Sequence, residues 1–126
     1  MDKKFLYEQW KKEEQIPLTG WDFSHIDSMY ESFDTPWDYS CILKSFIKKD
    51  MMLLDMGTAA GEFLLTLNHP FCNTWVTEGY TSNIEIIKQK LVPLGIRLCI
   101  IDNDSALKLD DDYFDIVINR HESYDP

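Results

Sequence analysis

The segment MMLLDMGTAAGEFLLTL, Met51 to Leu67, constrains the fold of this chain more than any other. Its first six residues form a short, nearly continuous apolar run, the pattern of a strand buried on both faces of a parallel sheet. The run reaches Asp55, passes through Gly57, Thr58, Ala59, Ala60 and Gly61, and resumes with the apolar spacing of a helix. A strand that turns into a helix in this way opens a βαβ unit, and such units wind right-handed onto a parallel sheet. The small residues let backbone approach a ligand closely, and a helix start offers unpaired N–H groups.

The alternation continues downstream. A helix is predicted from Ala60 to about Asn68, broken at Pro70, and TWVTEG predicts a second strand. Residues 83–92 predict a helix with Asn83 as its cap, ended by Pro93 and Gly95. RLCII and FDIVIN predict a third and a fourth strand, joined by the acidic connection SALKLDDDY. Upstream, residues 2–15 place Phe5, Leu6, Gln9 and Trp10 near helical spacing, and Pro17 closes that helix. The aromatic-rich stretch from Thr19 to Ser40 reads as irregular structure or short turns, a lid or cap more than a core element. Residues 38–48 fit an amphipathic helix with Asp38 near its start and Ile42, Phe46 and Ile47 on one face.

Composition narrows the function classes. With 126 residues, 44% hydrophobic and 27% charged, the chain reads as one small globular domain. The net charge of −10 argues against non-specific nucleic-acid binding, which needs a basic surface, and mildly favours a cationic ligand. No apolar run approaches the roughly 18 residues of a membrane span, and no basic-then-apolar leader is present, so a cytoplasmic location is expected. Cys41, Cys72 and Cys99 contain no CxxC pair and read as reduced, buried thiols. With only His25, His69 and His121 to join them and no ligand spacing, no metal site is expected.

The loop lacks the GK[ST] ending of a Walker motif and the dinucleotide fingerprint G-x-G-x-x-G. Asp55 just before it would repel a pyrophosphate, which disfavours a nicotinamide-dependent oxidoreductase, but it suits an ammonium or sulfonium. Glu78, ending the second strand, can accept hydrogen bonds from the two hydroxyls of a ribose. Acids at these two strand ends suit a nucleoside with a cationic amino-acid tail, and S-adenosylmethionine fits that description.

LLDMGTAAGE resembles motif I, D-x-G-x-G-x-G, of the class I (Rossmann-like) S-adenosylmethionine-dependent methyltransferases. VTEGY resembles the acidic end of their second strand, and IIDND and FDIVINRHESYDP fall where the family has its third-strand acid and fourth-strand motif. GWDFSH and TPWDY resemble the N-terminal segment of a bacterial subgroup of that family. One departure is Ala59 in place of the middle glycine.

The resemblance implies an α/β, three-layer Rossmann-like sandwich with a mostly parallel sheet. It further implies that Gly57, Thr58 and Gly61 pack against the methionine and ribose, while Asp55 organises the loop and faces the amino group. Glu78 would bind the ribose hydroxyls and Tyr80 would lie against the adenine, whose amino group would meet Asp102, Asn103 or Asp104. Asn119, Arg120, His121 and Glu122 would lie where the methyl acceptor, of unknown identity, is brought in. His121 or Glu122 would serve as base if the acceptor must lose a proton, and Trp21, Trp37 and Tyr39 would close over the ligand.

The family's sheet has seven strands, ordered 3-2-1-4-5-7-6, of which only 3-2-1-4 are expected here. Residues 1–49 would form a helical and aromatic cap, and 50–126 the cofactor-binding part of a single, apparently truncated domain. FDIVI would then be an edge open to pairing, which leaves three explanations open: a piece of a longer protein, a truncated gene, or a homodimer formed through that edge. A non-catalytic S-adenosylmethionine-binding or assembly module is the alternative to an enzyme.

Overall fold

Four short parallel strands lie in the order β3-β2-β1-β4 in the computed structural model, which describes residues 2–103 and 105–123. They are β1 (Leu53–Met56), β2 (Thr74–Glu78), β3 (Arg97–Ile100) and β4 (Ile116–Asn119). The helices are α1 (Lys3–Glu14), α2 (Tyr39–Phe46), α3 (Glu62–Thr66) and α4 (Thr81–Lys90), with 3-10 turns at Ser24–Met29, Phe71–Asn73 and Val92–Leu94. The chain is therefore an α/β fold in which all three strand pairings are parallel. From β1 the chain steps outward to β2 and β3, then returns across the sheet to place β4 on the other side of β1. Strand order thus reverses between β1 and β4, and the carboxyl ends there are where open α/β sheets form their ligand crevice.

One sheet face carries Leu53, Val76 and Ile118 into a single core with Leu43, Leu64, Leu67, Ile87, Leu91 and Ile96. The registers pair Leu53 with Thr74 and Ile116, and Asp55 with Val76 and Ile118, so Asp55 shares that face. The opposite face buries Leu54, Thr77 and Cys99 beneath the irregular connection from β3 to β4. Tyr113 and Phe114 of that connection meet Trp75 edge-on. Burial of Leu53, Leu54 and Asp55 together accounts for the continuous apolar run that marks this strand.

Several local expectations are corrected. Gly61, in the left-handed region at φ +80°, holds the N-cap of α3, so the helix begins at Glu62 and not at Ala60. A Cβ at Gly61 would also strike Leu91, which fixes glycine there twice over. Helix α4 starts at Thr81, two residues before its expected cap. Asn83 lies inside it and is buried, because its side chain reaches across to other segments. In α2 the inward row is Tyr39, Leu43 and Ile47, spaced four apart, while Ile42 and Phe46 face outward. Of the cysteines only Cys99, on β3, is buried; Cys41 and Cys72 lie on surface turns of helix and are exposed. Helix α1 buries no residue, with Trp10 exposed.

Leu53 is fully buried and Val117 is 52% exposed on neighbouring strands. Leu53→Ala is expected to cost about 3 kcal/mol in urea denaturation, whereas Val117→Thr shifts stability by no more than about 0.5 kcal/mol.

Candidate functional site

The loop between β1 and α3 is fixed from β2. Gly57 N–H donates to Thr77 Oγ1 at 3.0 Å, and Thr58 N–H to the Thr77 carbonyl at 3.2 Å. Ala59 N–H donates to Glu78 Oε2 at 3.0 Å. The other carboxylate oxygen of Glu78 accepts from Gly79 N–H at 2.9 Å and Tyr80 N–H at 3.0 Å, serving the start of α4 in place of a side-chain cap. Asn83 Nδ2 adds a longer contact to Oε2 at 3.4 Å. A carboxylate has about four lone-pair positions, and all four of Glu78's are met from within the chain.

Asn83 carries this network outward, since its Oδ1 accepts from Gly20 N–H at 2.8 Å. Glu62 does the same from α3, accepting from Trp21 N–H at 3.0 Å and Ala60 N–H at 3.1 Å. The Gly20–Trp21 segment is thereby held over the loop, and the Trp21 ring meets His121 edge-on at 4.7 Å. Sequence reasoning missed Asn83 and Glu62 as anchors of this lid, because nothing in their spacing refers to residues 41 and 63 positions away. Only the polar pair's placement at the two helix starts hinted at it.

Between lid and sheet lies a cavity of about 300 Å³, near the lower end for small-molecule sites. Gly57, Ala59, Glu78, Tyr80, His121 and Glu122 all line it. At Gly57, φ is +66° and a Cβ would strike Glu122, so only glycine lets the β4 turn approach the loop. Ala59 also adopts a left-handed φ of +58°. The middle-glycine position is thus occupied by a strained alanine, held there by the Glu78 hydrogen bond.

Asp55 lies beneath the loop and not on the cavity wall; it is 5% exposed. Burial pushes its carboxyl up to about 6, with Arg120 and Thr58 easing the effect and Glu78 adding to it. The buried Thr58 hydroxyl acts on Asp55 by proximity, since it meets no partner at hydrogen-bonding geometry among the described residues.

Other expected residues stand elsewhere. Asp102 pairs with Lys108 at 2.9 Å on the surface, and Asn103 closes a turn by accepting from Ser105 N–H and Oγ. Neither lines the cavity, and Asp104 lies outside the described residues. Asn119 clasps the β4 turn with two 2.9 Å hydrogen bonds to the Glu122 backbone. That turn brings His121 and Glu122 to the cavity while Arg120 points its guanidinium at the face of Phe63, 4.0 Å from the ring centre. No cluster of three or more metal-ligating side chains exists among the described residues. No helix among them is long and apolar enough to cross a membrane.

The chain matches no known protein family, no curated protein and no solved structure.

Two outcomes test this geometry. In the unfolded chain Asp55 titrates near 3.9, so between about pH 4 and 6 the folded state binds the extra proton. Stability from this group is therefore full below pH 4 and is lost as pH rises through 6, by about 3 kcal/mol in all. The difference in denaturation free energy between wild type and Asp55→Asn should follow that curve. Separately, Ala59→Val is expected to lose at least about 2 kcal/mol, since a β-branched residue at positive φ is a severe outlier. Ala59→Gly should stay within about 1 kcal/mol, because relief of strain is offset by a lost buried methyl and a looser unfolded chain.

Proposed function

We propose that the chain is of the Rossmann-like methyltransferase type and that the cavity beneath the Gly20–Trp21 lid takes S-adenosylmethionine. One observation carries the reading: the glycine loop, the strand-end acid Glu78 and the Tyr80 ring converge on a single cavity at the point where strand order reverses. The residues fit a nucleoside. Tyr80 is 46% exposed and can stack, and Glu78 has one long contact, that from Asn83, which a ribose hydroxyl can replace. Gly57, Thr58 and Gly61 shape the loop against the remainder, and the buried Asp55 behind it adds negative field for the cationic tail.

When bound, this cofactor supplies an electrophilic methyl group on a sulfonium, which departs readily as a neutral thioether. The chain's own part is alignment and exclusion of water, which convert a bimolecular encounter into an oriented one. His121, on the cavity wall, takes the proton where the acceptor must lose one, and Glu122 beside it is the other candidate.

A second reading, a non-catalytic module that keeps the scaffold, draws on the saturation of Glu78 by donors of its own chain. Calorimetric titration of the purified chain with S-adenosylmethionine, S-adenosylhomocysteine and NAD separates the readings. The methyltransferase reading predicts micromolar binding of the first two and none of NAD. Tyr80→Ala should weaken binding about tenfold, the worth of one base–aromatic stack. A folded chain that binds neither sulfur nucleoside contradicts the reading and leaves the scaffold alone.

A further inference from the structure

Beyond the lid a second concavity opens between the 34–40 segment and the β4 turn. Its inner part, about 350 Å³, is lined by Thr35, Trp37, Tyr39, Asn119, Arg120 and His121. His121 also lines the cofactor cavity, so the two spaces share a wall. In a chain with 22 acidic residues and a net charge of −10, none of these six side chains is acidic. Asp34 and Asp38 line the outer part of the groove, and the buried Asp55 behind it interacts electrostatically with Arg120 and Tyr39. Asp38 is committed to the start of α2, accepting from Cys41 N–H and Sγ.

Among the described residues lining this groove, Arg120 is the only permanent cation. Its guanidinium lies against Phe63, which in turn stacks on Tyr39 at 5.7 Å and 26°. Among the described residues it makes no ion pair and donates no hydrogen bond. A guanidinium held by its face leaves its edge N–H groups available for bidentate contact with an oxyanion. Trp37, 59% exposed, and Tyr39 beside it offer flat apolar surface at the same place.

We propose that this groove binds a small aromatic molecule carrying an oxyanion, a carboxylate or a phosphate ester, with the ring on Trp37 and Tyr39 and the oxyanion on Arg120. In the methyltransferase reading this molecule is the acceptor. Its role as acceptor rests on that reading, while the anion site stands on its own residues.

The probes are indole-3-carboxylate, its neutral isostere indole-3-carboxamide, and phenyl phosphate. Each is titrated into the full chain and followed by NMR at the Arg120 Nε–H and Trp37 indole N–H signals, with and without S-adenosylhomocysteine. The carboxylate should bind at least about tenfold more tightly than the carboxamide, as a charge-assisted pair requires. Arg120→Gln should bring the carboxylate down to the carboxamide's level, and Trp37→Ala should weaken both alike. Phenyl phosphate binding more tightly than the carboxylate assigns the oxyanion to a phosphate ester; the reverse assigns it to a carboxylate, and either supports the site. Equal binding of carboxylate and carboxamide, unchanged binding in a folded Arg120→Gln chain, or no shift at Arg120 and Trp37 overturns the proposal. S-adenosylhomocysteine binding without the carboxylate sinks the anion site alone. Carboxylate binding without S-adenosylhomocysteine sinks the cofactor reading alone.

Discussion

The arrangement at the carboxyl end of the sheet depends on the Glu78 carboxylate. Its two oxygens hold the strained loop residue Ala59, the first backbone N–H groups before α4, and Asn83. Through Asn83 the same network reaches Gly20 and fixes the lid. Glu78 is 7% exposed, and burying a carboxylate is costly unless every acceptor position is met. The backbone amides meet that demand and are themselves aligned by it. Loop, helix start and lid are thus positioned by one group, and removing it would leave several buried donors without partners.

Asp55, on the neighbouring strand, meets the opposite fate. It lies under the loop with little hydrogen bonding, so burial disfavours its charge and moves its titration toward neutrality. Two acids at adjacent strand ends therefore hold different roles by environment. Glu78 organises backbone through its hydrogen bonds, and Asp55 is a buried acid whose titration is moved toward neutrality. A cationic ligand favours the charged form of Asp55, and the protein gives up stability to keep an acid in that place.

Much of this was legible in the sequence because it is written in local patterns. The four strands show as short apolar runs since both sheet faces are covered around β1; βαβ logic implied the parallel sheet, and the family resemblance implied its strand order. What escaped was carried by contacts between distant segments. Asn83 has the sequence signature of a cap, yet its amide is drawn to Glu78 and Gly20 and the helix starts earlier. Asp102 and Asn103 fall where the resemblance to the methyltransferase motif implies a base contact, but an ion pair and a turn within six residues engage them. The pairing of Arg120 with Phe63 and the 34–40 aromatics joins three segments that share no periodicity.

The most direct test of the account is a crystal structure of the chain with S-adenosylhomocysteine. The account predicts ligand under the Gly20–Trp21 lid, ribose hydroxyls on Glu78 in place of the Asn83 amide, and adenine against Tyr80. Density for the ligand elsewhere, or a cavity that keeps all four in-chain donors on Glu78 at saturating ligand, would contradict it.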